Sequence, residues 1–144
     1  EKGVKILLAE DNEINQEVAN EILIQAGGNV DIVANGKLAV EAVLTKEYDV
    51  VLMDCQMPEM DGFEATGLIR EYERDGKAMH GPSGRLTIIA LTANAIKGDR
   101  ERCIDAGMDD YISKPIEPGE LIGMINSKLV DEVGCAASLN SRPG

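Results

Sequence analysis

The chain has 144 residues, with 26 Asp and Glu against 14 Lys and Arg, and therefore a formal net charge of −12. This length indicates one domain around one core, which must be aliphatic because Trp is absent and Phe63 is the only Phe. An acidic surface without a basic patch argues against binding to nucleic acid and against direct contact with an anionic membrane.

Five short apolar runs alternate along the chain with stretches of helical periodicity. The runs predict strands: VKILLA at 4–9, VDIVA at 30–34, VVLM at 50–53, TIIAL at 87–91 and DYIS at 110–113. Apolar residues spaced four apart predict a first and a last helix: Ile14, Val18 and Ile22, then Leu121, Ile125 and Leu129.

Capping residues indicate where the other helices begin and end. Asp11 or Asn12 predicts the N-cap of the first helix and Asn35 that of the second. Asp61, with Glu64 three residues later, predicts the start of the third. Two glycines stand where helices should end: Gly27 and Gly107.

This alternation predicts an α/β fold, a (βα)₅ unit whose doubly wound parallel sheet is covered by helices on both faces. Ligands of such sheets bind outside the carboxyl ends of the strands. The residues that end the apolar runs are therefore candidates for a site: Glu10 and Asp11, Asp54, Thr92, and Lys114 followed by Pro115.

Three carboxylates brought to one edge repel each other unless a cation joins them. An oxygen-only ligand set with room for water and phosphate describes Mg²⁺ better than zinc, and the backbone carbonyl of Gln56 could complete it. Asp54 ends a wholly apolar run, so it is placed to act as a nucleophile on phosphorus. Lys114 and Thr92 could bind the phosphoryl oxygens. Each residue alone could equally be a helix cap or a surface charge, and their placement on separate strand ends favours a site.

Four stretches occur in the order expected of one known family: ILLAEDNEINQ at 6–16, VVLMDCQMPEMDGFEAT at 50–66, IIALTANA at 88–95 and GMDDYISKPI at 107–116. On these residues the chain resembles the receiver domain of two-component response regulators, especially the version in hybrid sensor histidine kinases. The resemblance implies a flavodoxin-like, five-stranded sheet of order 2-1-3-4-5.

The resemblance also implies roles for the site residues. Asp54 matches the phosphoacceptor, Asp11 a direct Mg²⁺ ligand and Glu10 a ligand acting through water, and Mn²⁺ could substitute for Mg²⁺. Lys114 matches the phosphate-binding lysine, joined to Pro115 by a bond that the family usually keeps cis. The resemblance further implies phosphate binding and switching by Thr92, Ala93 and Tyr111, and control of the phosphoryl lifetime by Gln56 and Asn94.

The function implied is a phosphorelay receiver that accepts a phosphoryl group from a histidine kinase or a histidine phosphotransfer domain. It would promote its own phosphorylation and dephosphorylation without a turnover substrate, and switch an output surface on the fourth helix, fifth strand and fifth helix. The expected parent is a hybrid kinase, with a free-standing response regulator as the alternative. An aspartyl-phosphate phosphohydrolase, a degenerate interaction module and a nucleotide-binding domain are disfavoured.

The domain is expected to span residues 1–130, followed by a flexible tail or linker at 131–144, and to be a monomer or weak dimer. The Gly- and Pro-rich stretch at 75–85 predicts a long loop of unreadable function.

Three Cys without metal-ligand spacing and a single His argue against structural zinc or a disulfide framework. The absence of such a framework favours a cytoplasmic location.

Overall fold

The computed structural model describes residues 4–75, 86–92, 99–114 and 116–133. Its strands are β1 (Lys5–Ala9), β2 (Asn29–Val33), β3 (Val50–Asp54), β4 (Thr87–Thr92) and β5 (Asp110–Ser113). Its helices are α1 (Glu13–Gln25), α2 (Gly36–Thr45), α3 (Gly62–Arg74), α4 (Asp99–Ala106) and α5 (Pro118–Val133). The strands pair in parallel in the order β2-β1-β3-β4-β5, which confirms the predicted fold class and strand order.

The sheet has an aliphatic core on each face because alternate residues of a strand point to opposite sides. On one face Ile6 and Leu8 pack with α1 and α5, and on the other Leu7 and Ala9 pack with α2, α3 and α4. Each fully buried aliphatic side chain contributes about 1.5–3 kcal/mol of transfer free energy. The strands β1, β3 and β4 therefore read as nearly continuous apolar runs because both of their faces are buried, whereas the edge strands β2 and β5 are partly exposed.

The apolar periodicity of α1 identifies the helix but not its buried face. Ala19 and Leu23 are fully buried against the sheet, whereas Ile14 is 71% exposed and Val18 is 41% exposed. In α5 the predicted periodic residues do face the core, since Leu121 and Ile125 are fully buried. Ile14 and Val18 lie in the N-terminal half of α1, the half nearest the strand carboxyl ends.

The predicted helix boundaries are confirmed at their caps. The side chains of Asn12, Asn35 and Asp61 accept hydrogen bonds from backbone N–H groups three residues later, as N-caps do. Gly27 and Gly107 follow α1 and α4 with φ of 94° and 109°, a left-handed conformation that ends a helix and favours glycine.

The predicted domain boundary near residue 130 stays a prediction, since α5 runs to Val133 and residues 134–144 lie outside the described part of the chain. Residues 76–85 of the predicted loop also lie outside it. Among the helices in the described ranges, none is long and apolar enough to cross a membrane.

Candidate functional site

The parallel sheet brings the polar strand ends to one edge, as predicted. Asp54 is the last residue of β3 and pairs with Leu91, so that Thr92 at the end of β4 lies one residue further along. The backbone N–H of Lys114 donates to the Thr92 carbonyl oxygen at 2.8 Å, which holds Lys114 beside β4. Glu10 follows β1, and its N–H donates to the Val33 carbonyl at 3.0 Å.

At the centre of this edge Lys114 lies between two buried carboxylates. Its Nζ donates to Asp54 Oδ2 at 2.9 Å and lies 3.0 Å from Glu10 Oε1. Asp54 is only 5% exposed and Glu10 only 1%. One ammonium therefore faces two charges that have lost most of their water, and the cluster retains an excess of negative charge.

Burial sets the protonation behaviour of this cluster. It raises the pKa of Asp54 from 3.8 to about 6, an effect that the hydrogen bonds from Lys114 and from the Gln56 N–H oppose and that Glu10 reinforces. Burial alone would lower the pKa of Lys114, but its contacts with Asp54 and Glu10 outweigh this and raise it. Lys114 stays charged at neutral pH, and Asp54 is predominantly a carboxylate there.

The donor set of the cluster fits a hard divalent cation. Glu10, Asp11 and Asp54 each offer a carboxylate oxygen, and these atoms lie within 4.8 Å of one another. Glu10 Oε2 accepts from the Asn12 N–H. Within the described part of the chain, the buried Oε1 accepts no hydrogen bond and forms an ion pair with Lys114. A buried carboxylate oxygen with spare acceptor capacity, next to an exposed Asp11, suits an ion that keeps several waters.

Two of these carboxylates, Glu10 and Asp11, line a cleft of about 580 Å³. Its lining residues come from three segments: Glu10, Asp11, Asn12 and Asn15 around the start of α1, Gln56, Met57 and Pro58 after β3, and Lys114 after β5. The cleft therefore has room for a phosphoryl group and water directly above the buried carboxylates.

The segment after β3 is held close to Asp54 by two glycines. The Gly62 N–H donates to the Cys55 carbonyl at 3.1 Å, and a Cβ at Gly62 would lie 2.2 Å from the Asp54 carbonyl oxygen. The Gly36 N–H donates to the Met60 carbonyl at 2.9 Å. Within this segment the Gln56 N–H donates to Asp54 Oδ1 at 3.2 Å, which orients the carboxylate.

Of the remaining predicted residues, Thr92 and Tyr111 lie in the described part of the chain. Thr92 is buried at the strand end, and Tyr111 is partly buried on the sheet face covered by α2, α3 and α4. The predictions for Ala93, Asn94 and the Lys114–Pro115 bond fall on residues outside the described ranges.

A buried arginine on α3 was not predicted from the sequence. Arg70 donates through Nε to the Gly107 carbonyl at 2.9 Å, and through Nη1 to the Leu86 carbonyl at 2.8 Å. It also pairs with Glu73 and Asp109. The network joins α3 to the start of β4 and to the turn before β5. Its only sequence signal is an Arg–Glu pair three residues apart, which is common on exposed helix faces.

Comparison with known proteins places these residues in context. A family model described as "Response regulator receiver domain" matches residues 6–126. The chain is 46% identical over 133 residues to hybrid signal transduction histidine kinase B of Dictyostelium discoideum, covering 90% of this chain and 7% of that protein. It is 42% identical over 135 residues to probable histidine kinase 1 of Oryza sativa subsp. indica, covering 78% of this chain and 14% of that protein. The chain thus spans a small part of these relatives.

Two solved structures are similar over nearly their whole length. One is the receiver domain of a Pseudomonas aeruginosa sensor histidine kinase with a magnesium ion in its active-site cleft. Its sequence is 42% identical to this chain and the TM-score is 0.76. The match covers 88% of this chain and 98% of the Pseudomonas domain. The other is the Saccharomyces cerevisiae Ssk1 receiver domain bound to the histidine phosphotransfer protein Ypd1. Its sequence is 29% identical to this chain and the TM-score is 0.77. The match covers 93% of this chain and 90% of the Ssk1 domain.

Proposed function

Because this chain belongs to the receiver domain family of response regulators, we propose that Asp54 accepts a phosphoryl group from a phosphohistidine. The observation that carries the proposal is a buried carboxylate at a strand end, hydrogen-bonded to Lys114, which itself lines an open cleft. Attack by an Asp54 oxygen on phosphorus forms an acyl phosphate, while the bond from phosphorus to the histidine nitrogen breaks.

The carboxylates support a requirement for Mg²⁺, as does the ion in the Pseudomonas relative. Asp11 and Asp54 would hold the ion directly, with the Gln56 backbone carbonyl, and Glu10 would hold it through water. Mn²⁺ could substitute because it also prefers oxygen ligands. When bound, the ion offsets the negative charge of the phosphoryl group and of the acidic cluster.

Lys114 supplies the second positive charge of the transfer reaction. In the free domain its ammonium bridges Asp54 and Glu10, so it already lies beside the oxygen that would carry the phosphoryl group. Thr92 and Ala93 would bind further phosphoryl oxygens from the end of β4. Gln56 and Asn94 would control access of water and hence the lifetime of the acyl phosphate.

Phosphorylation adds nearly two negative charges next to Lys114 and Thr92, which favours a state in which Thr92 and Tyr111 shift. Tyr111 lies on β5 and packs on the same sheet face as α4, so its movement changes the surface formed by α4, β5 and α5. We assign this surface as the output face. The bond between Lys114 and Pro115 is proposed to be cis.

The donor is proposed to be a histidine kinase or a histidine phosphotransfer domain that docks over α1. Ile14 and Val18 are exposed apolar residues, and Ile14 shares the first turn of α1 with Asn15, which lines the cleft. Apolar surface beside a reactive group provides a contact area for a partner. The Ssk1 relative, crystallised with a phosphotransfer protein, supports this choice of partner.

The parent protein is proposed to be a cytoplasmically exposed hybrid histidine kinase, since such kinases are among the most similar relatives. A free-standing response regulator is the alternative. The domain itself is proposed to be a monomer or weak dimer, and to catalyse only its own phosphorylation and dephosphorylation.

A mass measurement tests the assignment of Asp54. After incubation with Mg²⁺ and acetyl phosphate, the wild type should gain the mass of one phosphoryl group and Asp54→Asn should gain none. Asp105→Asn, which changes an exposed carboxylate on α4, is the matched control and should behave as the wild type. An equal gain in Asp54→Asn would contradict the assignment.

Phosphotransfer from a partner tests the docking face separately from the chemistry. Ile14→Gln should slow transfer from a phosphorylated histidine phosphotransfer protein such as Ypd1, but leave phosphorylation by acetyl phosphate unchanged. Ile24→Gln is the control, because Ile24 is also exposed on α1 but lies at its opposite end. Equal transfer rates for both variants would show that α1 is not the docking face.

A further inference from the structure

Two buried cysteines from distant parts of the chain meet beside the acidic cluster. Cys55 directly follows Asp54, and Cys103 lies on α4. Their Sγ atoms are 3.9 Å apart, and the two residues are 6% and 0% exposed. The two residues are thiols that lie 48 residues apart in sequence and are not joined by a disulfide bond.

The backbone on either side of this contact is well anchored. The Cys55 N–H donates to the Leu91 carbonyl at 3.0 Å, and its carbonyl accepts from Gly62. The Cys103 carbonyl accepts from the Met108 N–H at 3.0 Å, at the end of α4. Since a disulfide bond is about 2.05 Å long, the sulfurs must approach by about 2 Å, a distance that side-chain rotation with a small shift of α4 can supply.

We propose that Cys55 and Cys103 form an oxidation site in which a disulfide ties α4 to the residue after Asp54. In this reaction the two thiols lose two protons and two electrons as the sulfur–sulfur bond forms. Hydrogen peroxide is the oxidant, and it takes up the two protons and two electrons to give two water molecules. A thiol reductant reverses the reaction by thiol–disulfide exchange.

The expected consequence for signalling rests on the proposed function, whereas the disulfide itself does not. If phosphorylation of Asp54 favours a shifted α4, then a crosslink that restrains α4 against the residue after Asp54 disfavours phosphorylation. Oxidation would therefore lower the phosphorylated fraction. Both thiols are buried, so oxidation requires local opening of the structure and is slow compared with that of an exposed thiol.

The disulfide is tested by mass in a Cys135→Ser background, which leaves only Cys55 and Cys103 as thiols. The folded protein is exposed to hydrogen peroxide for hours, denatured, alkylated and weighed. We expect a monomer lighter by two hydrogens and closed to alkylation, which dithiothreitol restores. Two alkylatable thiols, sulfinic acid products or intermolecular dimers would overturn the proposal. Cys103→Ser in the same background, with folding checked by circular dichroism, should form no internal disulfide.

Phosphorylation by acetyl phosphate is then compared in the reduced and oxidised forms. We expect the oxidised form to reach a phosphorylated fraction about fivefold lower, in the range of typical coupling between sites, and Cys103→Ser to be indifferent to prior peroxide treatment. Equal phosphorylation of both forms would overturn the coupling to α4. A reduced protein that is not phosphorylated would refute the proposed function, while the mass result would still decide the disulfide.

Discussion

Replacing Asp54 with Asn should stabilise the metal-free domain at neutral pH. The substitution removes a charge that burial disfavours, and the Asn amide oxygen still offers Lys114 an acceptor. The pKa of Asp54 is about 6 in the folded state against an ordinary value of 3.8. This difference of about two pH units, at 1.36 kcal/mol per unit, sets a ceiling of about 3 kcal/mol. Water entering the cleft screens the charge, so we expect about 1–2 kcal/mol.

The sign of the pH dependence follows from where the proton resides. Between about pH 4 and pH 6 the folded wild type holds a proton on Asp54 that the unfolded chain has already released. Wild-type stability therefore falls as the pH rises through this window, and the cost is fully present above about pH 7. The advantage of Asp54→Asn should be largest there and should vanish near pH 4.

The assays are guanidinium denaturation and thermal melting, both in EDTA at several pH values. Asp105→Asn is an exposed control that changes stability by less than about 0.5 kcal/mol. Near pH 7.5 the melting temperature of Asp54→Asn should exceed that of the wild type by about 3–7 °C. Adding Mg²⁺ should reduce this advantage, because the ion stabilises the intact carboxylate cluster more. A variant no more stable than the wild type at pH 7.5, or an advantage that persists at pH 4, would refute the explanation.

Four further substitutions test other parts of the structure. Gly62→Ala would place a methyl group 2.2 Å from the Asp54 carbonyl oxygen, and should cost about 1–3 kcal/mol in urea denaturation. Gly67→Ala on the same helix meets nothing within 4 Å and should instead gain about 0.5–1 kcal/mol. Arg70→Leu removes the buried guanidinium that pairs with Glu73 and Asp109, and should cost about 3–5 kcal/mol in the same assay; a loss below 1 kcal/mol would contradict this. Asp11→Asn should reduce the rise in melting temperature that Mg²⁺ gives the wild type, and an equal rise would argue against Asp11 as a ligand.

The fold and the position of the site could be predicted because both depend on short-range patterns. VVLM at 50–53 reads as a strand buried on both faces, and Asp54 breaks the pattern at its carboxyl end. Parallel pairing then brings all such ends to one edge whatever the separations in sequence. The positions of Glu10, Asp54, Thr92 and Lys114 follow from this rule alone.

Other features could not be predicted because they depend on contacts between distant segments. Arg70 is separated from Gly107 and Asp109 by 37 and 39 residues, and nothing near it in sequence marks it as buried. The buried face of α1 could not be predicted for the same reason. Ile14 and Val18 are spaced as core residues are, yet the smaller Ala19 faces the sheet, because helix rotation is set by packing rather than by side-chain size.

The exposed apolar residues of α1 can change in evolution independently of the core and of the carboxylate cluster. Since Ile14 and Val18 contribute little to the core, substitutions there leave folding nearly unaffected. They also lie outside the carboxylate cluster, so the reactivity of Asp54 does not constrain them. Recognition at the proposed docking face can therefore diverge between duplicated copies of the gene while the proposed chemistry at the strand ends stays the same. Parallel signalling routes would then stay separate although they share one reaction.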